Sequence, residues 1–202
     1  MSKLSILERA ASFTTNKSDL PDSTLVVETL LDLEKIAKKD KTSNSFNNLV
    51  GSWNLRFITG TKKTRKKAGI VLGAGRYIPR LVTIKITYEN SPKLNVNNVN
   101  IGRVKNFVQL AFLQLSLTGP VKFITPKNIL AFDFTTLTIA VSGFKFYDGY
   151  IRGGAIKEAE FEQIHLSQQA FFSYFLIQEN LIAARGRGGG LALWSRDLET
   201  SK

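Results

Sequence analysis

Gly51-Ser52-Trp53-Asn54-Leu55-Arg56-Phe57-Ile58 opens the β-rich part of this chain, and Ala184-Arg185-Gly186-Arg187-Gly188-Gly189-Gly190-Leu191-Ala192-Leu193-Trp194 closes it. A Gly-x-Trp at the start of a first strand lets the backbone pass close to its neighbours at the glycine, while the indole plugs the narrow end of a barrel. An arginine from the closing segment is then expected to stack its planar guanidinium over the indole and to donate to nearby carbonyls. Barrels of about eight strands are filled by side chains or hold one small apolar ligand. The two segments together predict a closed antiparallel cup, a container before a catalyst.

The stretch between them has a period of two. Val82, Ile84, Ile86 and Tyr88 alternate with Thr83, Lys85, Thr87 and Glu89, the mark of a half-buried strand. Similar signals cover 49–58, 99–104, 107–118, 121–124, 129–134, 137–141, 144–151, 171–177, 181–185 and 191–195. Asn97-Asn98, Gly119-Pro120, Pro126-Lys127-Asn128, Ser142-Gly143, Asp148-Gly149 and Glu179-Asn180 read as turns between them. About eight to ten short strands in succession fit an up-and-down barrel and exclude a doubly wound fold. The pleat assigns its lining: Val82, Ile84, Ile86 and Tyr88 on one strand, Ala111, Leu113, Leu115 and Leu117 on another, Leu137, Ile139 and Val141 on a third. These stripes line a dry cavity or fill it. Of them, Ile84, Ile86, Tyr88, Leu113, Leu115 and Ile139 are, with Trp53, the candidate ligand-binding residues.

Ahead of the barrel the period is helical. A short helix is expected over 4–11 and a longer one over 23–39, capped by Asp22 or Ser23, with Leu30, Leu33 and Ala37 on one face and Lys35, Lys38 and Lys39 toward its C-terminal end. Residues 1–48 thus form a helical hairpin and 49–202 the barrel, together one structural domain; a further helix is expected near 157–166.

Composition narrows the chemistry. The 202 residues contain no cysteine and one histidine, His165, so disulfides, thiolate metal sites and cysteine nucleophiles are excluded. His165 has no nucleophile beside it, no metal-ligand spacing occurs, and Gly69-Ile70-Val71-Leu72-Gly73-Ala74-Gly75 lacks the Lys-Ser/Thr of a phosphate loop. No apolar run reaches the roughly 20 residues of a spanning helix, and the N-terminus shows neither a signal peptide nor a transit peptide. The expected protein is not an enzyme, needs no cofactor or metal, and is cytoplasmic or stromal.

The formal charge is +12, and it is unevenly placed: residues 1–48 hold seven Lys/Arg and seven Asp/Glu, leaving 21 against 9 in residues 49–202. Lys62, Lys63, Arg65, Lys66 and Lys67 fall between the first two strands, with no acidic residue from 60 to 80. An anionic membrane surface attracts such a cluster by about 1 kcal/mol per cation, and these five are the candidate docking residues. The alternative is a solvated turn. Arg185-Gly186-Arg187-Gly188-Gly189 is a single Arg-Gly box between apolar runs and reads as a tight turn or strand crossing, not as a nucleic-acid-binding tail.

The helical start, Leu49-Val50-Gly51-Ser52-Trp53-Asn54-Leu55-Arg56-Phe57-Ile58-Thr59, the run of strands and the closing Ala-Arg-Gly-Arg-Gly-Gly-Gly-Leu-Ala-Leu-Trp resemble the plastid lipid-associated proteins, or fibrillins, of cyanobacteria and plastids. The resemblance spans nearly the whole chain. It implies a lipocalin-like barrel, peripheral to thylakoid membranes or lipid globules, that binds an isoprenoid quinone, a carotenoid or another lipid. Gly51 and Trp53 on the opening strand and Arg185 or Arg187 on the closing one are the positions it carries over, so Arg185 joins the candidate ligand-binding set. The related rival is a phycobilin lyase, in which Arg76, Arg80, Arg103 or Arg152 would anchor the propionates of an open-chain tetrapyrrole. Arginine facing a cavity separates that rival from a lipid carrier, which needs an aliphatic lining. A third reading is a structural membrane-surface protein with a filled barrel.

Overall fold

A computed structural model describes residues 2–12, 19–40, 42–60, 75–91 and 99–197. Two helices, α1 (Lys3–Ala11) and α2 (Ser23–Asp40), come first. Strands β1 (Gly51–Ile58), β2 (Arg76–Tyr77), β3 (Val82–Asn90), β4 (Val99–Leu110), β5 (Leu113–Ile124), β6 (Ile129–Phe132), β7 (Thr136–Val141) and β8 (Phe144–Tyr150) follow. After α3 (Gly154–Glu160) come β9 (Ala170–Ile177), β10 (Leu181–Gly186) and β11 (Leu191–Arg196).

Eight of these strands, β1, β3, β4, β5, β6, β9, β10 and β11, pair antiparallel in chain order, and β11 returns to β1. The result is the expected closed, lipocalin-like up-and-down barrel with a helical hairpin before it. The short β2 pairs with the far end of β1, and the β7–β8 hairpin is inserted between β6 and β9.

Alternate residues divide inside from outside. Trp53, Ile86, Tyr88, Val104, Val121, Phe123, Leu130, Tyr174, Ile182 and Trp194 point inward and form one buried cluster with Phe46 and Leu49, which plug the end where β1 begins. Rings stack and meet edge to face throughout, as in Phe46–Phe123, Phe172–Trp194 and Phe132–Phe172. A fully buried ring such as Phe46 or Phe123 stabilises the fold by roughly 1.5–3 kcal/mol. This half of the barrel is filled.

The outward residues of β1, β10 and β11 are also apolar because the helices cover them. Leu7, Ala10, Ala11, Val26, Val27 and Leu30 pack on Phe57, Leu181, Ala183, Leu191 and Leu193. Asp22 caps α2 by accepting from the Thr24 amide at 2.8 Å. Glu34 of α2, whose side chain is buried, accepts from Arg185 Nε at 2.8 Å and from its Nη2. On the opposite wall Lys122 donates to the carbonyls of Phe161, Glu162 and Ile164, fastening the segment that follows α3.

One strand assignment and two turn assignments from sequence are corrected. Ala111, expected on a strand face with Leu113, occupies the two-residue turn between β4 and β5 at φ +51°. Gly119-Pro120 is not a turn but the middle of β5, between its last pair with β7 (Thr118↔Thr136) and its first with β6 (Val121↔Phe132). A proline is tolerated where a strand changes neighbours, and a Cβ at Gly119 would stand 2.0 Å from the Asp133 carbonyl oxygen. Asp148-Gly149 likewise lies inside β8, opposite Thr138 and Leu137.

Candidate functional site

At the plugged end the barrel closes on an arginine. Arg196 sits opposite Trp53 across the β1–β11 ladder and lays its guanidinium 4.1 Å from the indole centroid, with Nη1 donating to the Val50 carbonyl at 3.2 Å and Nε to that of Glu179. The indole Nε1 donates to Leu49 O at 2.7 Å. Gly51 has φ +118°, and a Cβ there would stand 2.8 Å from Arg196 Nη1, so the glycine of Gly-x-Trp makes room for this cation. The expected arginine stack exists, but Arg196 makes it. Arg185 lies opposite Leu191, on the outward face, and clamps α2 instead; Arg187 donates to the Gln169 carbonyl at 2.9 Å.

The barrel wall parts at the other end. β1 pairs with β3 only from Gly51 to Asn54 and then continues with β11 and β2, while β3, β4 and β5 run on and take up β7 and β8. The inward face of the barrel therefore continues onto a five-stranded sheet. Register places its side chains in rows across β3, β4, β5, β7 and β8. Ile84, Val108, Leu115, Ile139 and Tyr147 form one; Val82, Leu110, Leu113, Val141 and Phe144 form the next. The opposite face carries Thr83, Gln109, Gln114, Ser116, Thr138 and Lys145. α3 is held on this polar side, where Glu158 bonds Arg103 and Thr135.

The candidate lining residues thus separate into two sets. Trp53, Ile86 and Tyr88 lie in the filled core, where the Tyr88 and Tyr174 hydroxyls share a buried hydrogen bond of 2.7 Å and burial pushes both phenols well above their ordinary range. Ile84, Leu113, Leu115 and Ile139 gather on the half-buried apolar sheet beyond it. Lys62, Lys63, Arg65, Lys66 and Lys67 lie outside the described residues.

The apolar sheet ends in a tip. Leu81 is 84% exposed, Phe112 66%, Phe144 74% and Phe146 72%, and Leu110 stands beside them. The β4–β5 and β7–β8 turns are joined there by the Ser142 amide donating to Phe112 O at 2.9 Å. Large exposed apolar groups gathered in one place mark a binding surface. Gly60 and Gly75, the residues bracketing the basic stretch, stand at this same barrel end, where β1 finishes and β3 begins.

A groove of about 510 Å³ occupies the split between β1 and β3. Leu55, Val82 and Ile84 supply its apolar wall, and Arg56, Arg80, Lys85, Arg196 and Asp197 its charges. A β-bulge between Leu55 and Phe57 frees Arg56 from the pleat. Its Nε donates to Ser195 Oγ at 2.7 Å, and burial lowers its pKa below the usual guanidinium value. Lys85 pairs with Asp197. Of the arginines considered as anchors, Arg80 lines this groove, Arg103 pairs with Glu158 on the outer face, and Arg76 and Arg152 are exposed. Sequence reasoning missed Phe112, Arg56 and Arg196: the first lay inside an apparent strand, the second needed the bulge, and the third followed the segment taken as the end of the barrel.

Among the described residues no three His, Cys, Asp or Glu side chains gather as metal ligands, and no helix is long and apolar enough to cross a membrane. His165 bonds Ser167 Oγ at 2.8 Å at the start of a single 3₁₀ turn. Set against protein-family models, curated proteins and solved structures, the chain matches none.

Proposed function

We propose that this protein binds lipid-class molecules at an anionic membrane surface, to which it attaches peripherally, and that it makes and breaks no bonds. The observation that carries this reading is the apolar sheet ending in Leu81, Leu110, Phe112 and Phe144, at the barrel end where Gly60 and Gly75 flank the basic stretch in the sequence. Apolar side chains entering the acyl boundary and cations meeting anionic headgroups are the two signals that together hold a protein on a bilayer. Isoprenoid quinones and carotenoids suit a wide aliphatic and aromatic face, and the fibrillin resemblance points to thylakoid membrane or lipid globules. Because the plugged half of the barrel is filled, the ligand lies on the sheet and at the parted mouth. Its loading is driven by burial at about 25 cal/mol per Å².

The groove's arginines favour a second reading, a bilin-binding chaperone or lyase; a red-shifted, saturable absorbance change on adding an open-chain tetrapyrrole supports it. The first reading is tested by flotation with vesicles. Anionic vesicles are expected to carry the protein and neutral ones to leave it. Reversing Lys62, Lys63, Lys66 and Lys67 to Glu is expected to abolish flotation. Undiminished flotation of that variant contradicts electrostatic docking.

A further inference from the structure

We infer that the outer edge of β8 pairs antiparallel with β8 of a second copy of this chain. The surface involved is the edge of the sheet, and the pairing holds or fails independently of lipid binding.

β8 is the last strand of the five-stranded sheet, and among the described residues it pairs with β7 alone. Phe144, Phe146, Tyr147 and Tyr150 are exposed along it, and the strand holds no proline. An exposed, aromatic strand edge is a template for another strand.

The hydrogen-bond phase of this edge follows from both ends of β8. At its start Val141 and Phe144 flank a two-residue turn, Ser142-Gly143, with φ of +50° and +85°. Phe144 therefore turns its amide and carbonyl to β7, and Lys145 turns its own away. At its finish the Ile151 amide donates to Thr135 O at 2.8 Å, so alternation leaves Tyr150 and Asp148 facing away from β7. A bulge at Phe146 reconciles the two counts. It also sets Lys145 and Asp148 on one face, the polar one, where their charges pair at 3.0 Å and Thr138 donates to Asp148 at 2.8 Å.

The outward groups fit one two-fold register. With Phe146 opposite Tyr147 of the second copy, Lys145 falls opposite its Asp148 and Phe144 opposite its Gly149. Lys145 and Asp148 then exchange backbone hydrogen bonds on both sides of the axis, and each cation meets an anion. A lysine on an edge strand discourages pairing when its charge has no counterpart; here it has one. Sliding by one residue sets Lys145 opposite Tyr147 or Gly149, which belong to the other face. An unrelated strand carries this pattern only by chance, whereas a second copy carries it necessarily. The pairing also joins two apolar sheet faces on one side, the row Ile84, Val108, Leu115, Ile139 and Tyr147 running on into Phe146 of the second copy.

The paired length is short, so the dimer is expected to be weak, with a Kd on the order of 10 μM or above. Sedimentation velocity of the whole protein without lipid, at concentrations that bracket this value, measures it. Lys145→Glu and Asp148→Lys are each expected to weaken dimerisation at least about tenfold, because each sets like charges opposite one another twice. An equimolar mixture of the two variants is expected to recover the dimer, since every reversed charge then faces an opposite one. Both side chains are more than half exposed, so neither variant threatens the fold, and recovery in the mixture shows that both are folded. A wild type that stays monomeric overturns the pairing and leaves the edge to a strand of another protein. A dimer that neither variant weakens lies on another surface and overturns it as well. Loss in both variants without recovery in the mixture contradicts the register.

Discussion

Arg196 stacks on Trp53 at 4.1 Å, so the last barrel strand is fastened to the first by a cation resting on an indole and not only by the backbone ladder. The same guanidinium reaches Val50 and Glu179 carbonyls from two different loops. Arg196→Lys keeps the charge and loses the planar fork. It is expected to cost about 1–3 kcal/mol, a fall in Tm of about 2–12 °C for a chain of this size. A thermal melt checks it, and a change in the emission of Trp53 shows that the contact itself is lost.

The helical hairpin is held partly by apolar packing and partly by Arg185 and Glu34. Hydrogen bonds from Arg185 keep the Glu34 carboxyl below its ordinary value of 4.5. A depressed folded-state value means that the pair contributes fully above pH 4.5 and is lost as pH falls through that lower value. Glu34→Gln is therefore expected to lower stability by about 1–3 kcal/mol at pH 7. Below about pH 4.5 the gap between wild type and variant should close. A gap unchanged down to pH 3 would contradict the ion pair's role.

Tyr88 and Tyr174 satisfy one another in the core at 2.7 Å. Tyr88→Phe strands the Tyr174 hydroxyl and is expected to cost about 1–3 kcal/mol, whereas the double change to Phe costs less than the sum of the two single ones. Denaturant melts of the four proteins close that cycle. Spectroscopic titration should find two of the five tyrosines silent until the protein unfolds.

The strands were legible because alternation is written directly into residues such as Val82 to Tyr88, and the helices because Asp22 and the apolar spacing of α2 are local signals. What escaped was non-local. The stripe Val82, Ile84, Ile86, Tyr88 looks uniform in sequence, yet Tyr88 is in the core and Val82 at the parted mouth, since only the departure of β1 at Asn54 decides where the wall opens. Gly119-Pro120 carried turn chemistry but serves a strand that exchanges β7 for β6. Arg185 and Arg196 are equally plausible partners for Trp53 on composition; the parity of the β10–β11 ladder assigns them to opposite faces.

Phe112 and Phe144 offer membrane attachment as a property of the tip alone, because they are exposed there and contribute little to folding. Flotation with anionic vesicles is measured for wild type and for Phe112→Ser/Phe144→Ser, with melting curves recorded for both. Attachment through the tip predicts an unchanged melt and membrane affinity reduced at least about tenfold, since two rings no longer enter the acyl boundary. Equal flotation of the two proteins would contradict it.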